Sequence, residues 1–324
     1  MSARRAARAA IALAIALVTP AAFAFDLQAH RGGRGLAPEN TLAAFRNALR
    51  LGVTTLESDL AVTRDGHLVL SHDPRLNPDL VRGPDGRWLS APGPALHALT
   101  LDEVRRVDVG RLNPASRYAA QFPQQRPSDG ERIPTLDELV ALVSAHPGPV
   151  RLNLETKITP TSGDETPPPT QFARVVVDAI RRHGLAARVT VQSFDWRTLV
   201  EVRRLAPEIE TSCLTIVSAG MDTVTPGPDG ASPWHAGLRA ADHGGSLAGL
   251  ARAAGCGSWS MFWRNLAPEH VGQARAAGVK LLPWTVNEPA DMARLVELGV
   301  DGIITDYPDR LRKVLAERGV ALPP

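Results

Sequence analysis

Several charged residues stand where a parallel strand should be apolar. In the run Thr55-Leu56-Glu57-Ser58-Asp59-Leu60-Ala61-Val62, the two-residue side-chain period puts Glu57 and Asp59 on one face and Leu56, Leu60 and Val62 on the other. In Asn153-Leu154-Glu155-Thr156-Lys157, residues 153, 155 and 157 share a face while Leu152 and Leu154 turn away. Unpaired charge is costly inside a protein. Three converging carboxylates therefore call either for structural ion pairs or for a hard divalent cation bound through oxygen. Lys157 beside Glu155 suits an anionic substrate as well as a metal. Two histidines join this set: His30-Arg31-Gly32-Gly33 follows the first β-rich run, and His72-Asp73-Pro74 follows the short run 68–70. One such histidine is ordinarily a hydrogen-bonded surface or core residue. Two at strand ends, with ordinary pKa values near 6.5 and an arginine able to fork onto phosphate oxygens, supply the parts of a phosphoryl-transfer site.

The elements that must hold these residues alternate along the chain. Strands are expected at 26–29, 55–62, 151–155, 189–193, 210–214, 258–261, 280–284 and 302–305, and helices at 41–51, 136–145, 172–183, 196–205, 246–254, 268–277, 289–298 and 308–318. Gly52, Gly184, Gly278 and Gly299 lie just past helix ends, where a left-handed residue closes the last turn. Eight strand–helix units without a linker point to an α/β fold, a TIM-type (β/α)8 barrel, whose sites form at the carboxyl ends of its strands. A doubly wound open sheet is the alternative. Three stretches break the rhythm: 73–135, rich in Pro, Gly and Arg with a helical hint at 100–107; the acidic, Pro-rich 159–170, expected to be a mobile loop; and 215–245, which carries Trp234 and His235. Connections of this length are functional or form small subdomains. All three follow strand ends and are expected to wall one pocket. The expected organisation is one barrel domain over 25–324 with an inserted small subdomain, 73–135, after the second strand.

Ahead of the first strand, Arg4, Arg5 and Arg8, the apolar run 9–18 and Ala22-Phe23-Ala24 have the pattern of a secretory signal peptide over 1–24. The apolar run is too short to span a bilayer, and no later stretch reaches the ~18–20 apolar residues needed. The expectation is a periplasmic or secreted protein with no stable membrane anchor. The chain has 36 Lys+Arg and 34 Asp+Glu, and loss of the leader's three arginines leaves 33 basic against 34 acidic residues. No basic field remains to hold nucleic acid or an anionic membrane. With 44% hydrophobic and 22% charged residues, the composition excludes disorder and a collagen-like fibre. Cys213 and Cys256 form a disulfide in an oxidising compartment or remain two small buried residues.

Taken together and in order, these motifs resemble the glycerophosphodiester phosphodiesterase family. The matching residues are His30-Arg31-Gly32, Pro38-Glu39-Asn40-Thr41, Glu57-x-Asp59, Asp65-Gly66, Ser71-His72-Asp73-Pro74, Ile133-Pro134-Thr135-Leu136, Asn153-x-Glu155-x-Lys157, Trp284-Thr285-Val286-Asn287 and Asp301-Gly302-Ile303-Ile304-Thr305-Asp306-Tyr307-Pro308. The resemblance implies a TIM-type barrel in which Glu57, Asp59 and Glu155 bind one divalent cation, Ca²⁺ or Mg²⁺. It implies His30 and His72 as the acid/base pair, Arg31 and Lys157 as contacts to the substrate phosphate, and Trp284 as a wall beside the glycerol moiety. The implied reaction is hydrolysis of a small-molecule glycerophosphodiester to glycerol 3-phosphate and an alcohol. Two alternatives accompany it: a sphingomyelinase D-like phospholipid-cleaving barrel lyase, and a non-catalytic periplasmic module binding phosphorylated polyols. Glu155-x-Lys157 and the stretch after His72 speak against the first, and the presence of both histidines against the second.

Other features have plainer readings. Gly32-Gly33-Arg34-Gly35 lacks the spacing of a dinucleotide or P-loop cradle and reads as a tight turn. Asn40 or Thr41 caps a helix, and Glu39 is placed to buttress the site. Gln192, at the end of the fourth strand, either touches substrate or fills a barrel layer.

Overall fold

The structure, a computed structural model, describes residues 25–322; the expected signal segment 1–24 lies outside the described residues. Its strands are β1 (Asp26–Ala29), β2 (Thr55–Val62), β3 (Leu68–Leu70), β4 (Arg151–Thr156), β5 (Val189–Ser193), β6 (Glu210–Thr215), β7 (Ser258–Met261), β8 (Lys280–Leu281) and β9 (Gly302–Thr305). Eight of them pair in parallel in the order β8-β7-β6-β5-β4-β2-β1-β9, and β3 folds back antiparallel on β2. The remaining seam is spanned by the Asp301 N–H donating to the Leu281 carbonyl (3.1 Å) and the Ile304 N–H to the Pro283 carbonyl (3.0 Å). The barrel expected from the alternation is therefore nearly closed. The strand expected at 280–284 shortens to two residues because Pro283 has no N–H to give the ladder.

The helices are α1 (Leu42–Leu51), α2 (Leu101–Val104), α3 (Leu136–Ser144), α4 (Pro169–Arg182), α5 (Trp196–Leu205), α6 (Leu247–Ala253), α7 (Pro268–Ala277), α8 (Pro289–Leu298) and α9 (Pro308–Glu317). α4 begins earlier than its apolar pattern, at Pro169, whose fixed φ suits a first helical turn. The main core lies between strands and helices, where Leu56, Leu60, Leu152, Leu154 and Val191 meet Phe45, Phe172 and Trp196. The inward strand positions are polar instead. Asn153 Nδ2 donates to Gln28 Oε1 (2.8 Å) and Gln192 Oε1 (2.9 Å), forming a hydrogen-bonded floor inside the barrel. Cys213 on β6 and Cys256 before β7 form a disulfide, with Cα atoms 5.9 Å apart.

The 73–135 stretch builds its own small core from Leu76, Val81, Leu96, Val104, Val107 and Ile133, packed against Ala61 and Val69. A capping box between Thr100 and Glu103 starts α2. The expectation that all three long connections wall one pocket is corrected. Residues 227–229, 231–233, 236 and 237 lie with Pro169, Thr170, Arg197, Val200 and Glu201 around a separate cavity of about 740 Å³. The cause is a close attachment to α5: the Trp196 N–H donates to the Trp234 carbonyl (2.8 Å), and the His235 ring stacks on Trp196 at 4.2 Å. The 159–170 segment is tied to the insertion by Glu165 and Arg75, 2.6 Å apart.

His235 has an energetic consequence. It is 2% exposed, its Nε2 has no hydrogen-bond partner, and burial lowers its pKa to about 4. Between that pH and the unfolded value near 6.5, the unfolded chain carries a proton that the folded ring lacks, so stability rises with pH across this window. The expected result is a Tm that falls as pH drops from 6.5 to 4, with a shallower fall in His235→Phe. Identical slopes in calorimetry would contradict it.

Candidate active site

β1 delivers His30 at its end, and the chain turns at once through three residues of positive φ, Arg31 (50°), Gly32 (78°) and Gly33 (86°). A Cβ on Gly32 would stand 2.8 Å from the Ala44 Cβ, so only glycine lets this turn press onto α1. The turn aims the Arg31 N–H at Glu57 Oε2 (2.7 Å). Asn40 is also left-handed (φ 54°); its amide accepts from Ser58 Oγ and donates to Asp59 Oδ2, each at 2.9 Å. Such backbone costs about 1–3 kcal/mol per residue and persists where surrounding contacts enforce it. Thr41, the neighbouring candidate, caps α1.

Glu57, Asp59 and Glu155 are buried and offer oxygens that lie within 4.8 Å of one another. Gln192 Nε2 donates to Glu57 Oε1 (2.9 Å), which makes Gln192 a support for this carboxylate. Lys157 Nζ holds Glu155 Oε1 at 2.6 Å and stands 3.7 Å from Asp59 Oδ1. Asp59 Oδ1 is buried with no hydrogen-bond partner. Burial and the neighbouring carboxylates push the Glu57 pKa well above its usual range. Burial would raise Asp59 as well, but Arg31 and Lys157 hold it below the carboxylate range. An orphaned carboxylate oxygen between two further carboxylates, with no sulfur or nitrogen in the set, fits a hard divalent cation.

Each histidine has an acidic partner. His30 Nδ1 lies 2.6 Å from Asp306 Oδ1, and Asp306 also accepts from Arg34 Nε (2.7 Å) and Asn287 Nδ2 (2.8 Å). His72 Nδ1 lies 2.9 Å from Asp73 Oδ1. Burial and Arg34 lower the His30 pKa to about 4; burial, Arg31 and Lys157 hold His72 well below 6.5. The expected values near 6.5 are thus corrected, because His30 is buried, His72 is partly buried, and both rings lie among cations. The His72 side chain is 32% exposed and that of His30 10%.

His30, His72, Arg31, Lys157, Glu57 and Glu155 line one cavity of about 90 Å³, with Phe194 and Trp284 on its apolar side. Phe194 and Trp284 meet edge-on at 5.3 Å. The structure therefore brings together all eight residues singled out in the sequence, with Asp59 joining through the carboxylate cluster. It adds Asp306, Asn287, Arg34 and Phe194. Asp306 carries a signal, a lone acid at the end of the last barrel strand. Arg34 is hidden in a glycine-rich turn, and Phe194 reads as one more apolar residue.

The sequence model of the "Glycerophosphoryl diester phosphodiesterase family" matches residues 30–310. A curated glycerophosphodiester phosphodiesterase from Caldanaerobacter subterraneus subsp. tengcongensis is 31% identical over 291 residues, covering 90% of this chain and 98% of its own. A crystal structure from Silicibacter pomeroyi DSS-3, assigned as a glycerophosphoryl diester phosphodiesterase, superposes with a TM-score of 0.81 at 33% identity, over 92% of this chain and 95% of that one. An Oleispira antarctica phosphodiesterase, solved with its product sn-glycerol-3-phosphate, shares the fold at a TM-score of 0.65 and 24% identity, over 90% of this chain and 96% of that one. With a family match over residues 30–310 and a relative 31% identical along 90% of the chain, this protein belongs to the glycerophosphoryl diester phosphodiesterase family.

Proposed function

We propose that this chain hydrolyses glycerophosphodiesters to glycerol 3-phosphate and a free alcohol, using one divalent cation, Ca²⁺ or Mg²⁺, and acid/base catalysis by His30 and His72. The observation that carries the reading is the convergence of two carboxylate-partnered imidazoles, two cations and three carboxylates on one small cavity. The product bound to the Oleispira antarctica phosphodiesterase is the one this reaction would release. Glu57, Asp59 and Glu155 would hold the cation, which when bound neutralises charge on the phosphate. Arg31 and Lys157 bind the non-bridging phosphate oxygens. Asp306 fixes the proton of His30 on Nδ1, leaving Nε2 as the acceptor, so His30 is the base for the attacking oxygen. His72 is the acid for the departing alcohol: the negative phosphate raises its pKa from the lowered resting value, and its greater exposure lets solvent protonate it. Turnover of glycerophosphocholine and glycerophosphoethanolamine by purified protein, before and after chelation, tests the proposal.

Trp284 stands on the apolar side of the cavity and takes the glycerol carbons. Trp284→Ala is expected to raise KM by about 10-fold for every head group alike, the cost of roughly 1.4 kcal/mol of lost apolar contact. A loss that varied with head group in steady-state kinetics would move Trp284 to the leaving-group side.

From the leader pattern of residues 1–24 we propose that cleavage after Ala24 delivers the mature protein to the periplasm or outside the cell. The Cys213–Cys256 disulfide supports an oxidising compartment. N-terminal sequencing that begins at Phe25 is the expected result, and retention of Met1 would overturn the placement.

A further inference from the structure

The 73–135 subdomain reaches the polar site through a tyrosine. Tyr118 places its hydroxyl between Arg34 and Glu39: Arg34 Nη1 donates to it at 2.9 Å, and it donates in turn to Glu39 Oε2. The direction is forced. A guanidinium only donates and an ionised carboxylate only accepts, so the single hydroxyl proton points at Glu39. Each neighbour leads to a different half of the site. Arg34 continues through Nε to Asp306 Oδ1 (2.7 Å), which holds His30 Nδ1 (2.6 Å). Glu39 continues to Arg31 Nη1 (2.8 Å), whose Nε lies 3.2 Å from Asp59 Oδ2. A polar chain thus runs His30–Asp306–Arg34–Tyr118–Glu39–Arg31–Asp59, from a proton-transfer ring to the carboxylate cluster. Tyr118 is its one member from the inserted subdomain; the others come from β2, from the connection between β1 and α1, and from the residue after β9.

The subdomain grips the same turn by backbone and by packing. Gln125 Nε2 donates to the Arg34 carbonyl (2.7 Å), and the Arg126 N–H donates to the Leu36 carbonyl (2.9 Å). The Arg34 guanidinium carbon lies 5.0 Å from the Phe122 ring centre and 5.9 Å from that of Tyr118, and the two rings meet edge-on at 5.1 Å. Buried donors and acceptors left without partners are costly, and linked hydrogen bonds strengthen one another. Loss of the hydroxyl would therefore release Arg34 and Glu39 together.

We infer that Tyr118 is a positioning residue for the hydrolysis: it locks Arg34 to Glu39, so that His30 and Arg31 meet the phosphodiester in one fixed geometry. The inference rests on the two-histidine reading above. It makes the inserted subdomain part of the catalytic apparatus, where a wall or lid would only cover it.

Tyr118→Phe keeps the ring and removes only the hydroxyl. The expected result on glycerophosphocholine is a kcat lower by about 10–100-fold, the range seen when outer-shell partners of a site are lost, with KM within about two-fold. Phe122→Leu disturbs the ring packing and leaves the chain of polar contacts in place, so its loss of kcat should be much smaller. A second readout needs no turnover. The His30 Nδ1 proton, bonded to Asp306, should give a downfield resonance in ¹⁵N-edited spectra of metal-free protein, assigned by its absence in His30→Gln. It should broaden through faster solvent exchange in Tyr118→Phe. Wild-type kcat with an unchanged proton, or an equal kcat loss in Phe122→Leu, overturns the inference. If wild-type protein turns over no glycerophosphodiester, the functional reading fails, and the exchange of this proton still decides whether Tyr118 holds His30 in place.

Discussion

His30→Ala and His72→Ala are each expected to lower kcat/KM by about 10²–10⁴-fold on natural diesters, the range for general acid–base catalysis. The two losses should not multiply in the double variant, because groups that act in one transition state are not additive. Their roles separate on a substrate whose alcohol leaves without a proton. With a nitrophenyl phosphodiester, His72→Ala should recover most of its activity while His30→Ala stays impaired. The geometry behind this assignment is the contrast between a His30 clamped by buried Asp306 and a His72 resting on half-buried Asp73. Rescue of His30→Ala instead would exchange the roles. Near wild-type rates for both folded variants would remove the pair from catalysis.

The second large effect is expected at the carboxylate cluster. Glu57→Gln, Asp59→Asn and Glu155→Gln should each lower activity by about 10³-fold, as the several kcal/mol of charge stabilisation from a bound cation are lost. Chelation should match this loss, and Ca²⁺ or Mg²⁺ should restore only the wild type. Stability should move the other way for Glu57→Gln in chelator. Burial and two like charges raise the folded-state pKa of Glu57, so its ionised form opposes folding, and the neutral amide removes that opposition. The expected pattern is a variant Tm at or above wild type without metal, and below wild type with saturating Ca²⁺. A wild type that keeps full activity after exhaustive chelation, with no metal by elemental analysis, would refute the cation.

Legibility in the sequence differs from residue to residue. Glu57, Asp59 and Glu155 are visible because acids on the inward face of a period-two strand are costly unless a cation or a basic side chain meets them. The barrel is visible because strands and amphipathic helices alternate without a linker. Contacts that join residues far apart in the chain are not. Asp306 meets His30 across 276 positions, and Tyr118 meets Glu39 across 79; neither carries a local pattern that names its partner. The histidine pKa values depart from expectation for the same reason, since burial first, and then the crowding of Arg31, Arg34 and Lys157 around the rings, come with closure of the barrel. The 215–245 segment follows a strand, which by position alone puts it at the active-site wall. Its attachment to α5 depends on Trp196 and His235 stacking, which no spacing announces.

The central claim is which phosphodiester bond is cut, and ³¹P NMR of glycerophosphocholine with purified protein and Mg²⁺ or Ca²⁺ reads it directly. The expected result is conversion of the diester signal to that of glycerol 3-phosphate, directly or through a transient cyclic phosphate, with free choline released and no conversion in chelator. Appearance of phosphocholine, cleavage confined to sphingomyelin, or an unchanged diester over folded, metal-loaded protein would contradict the proposed reaction.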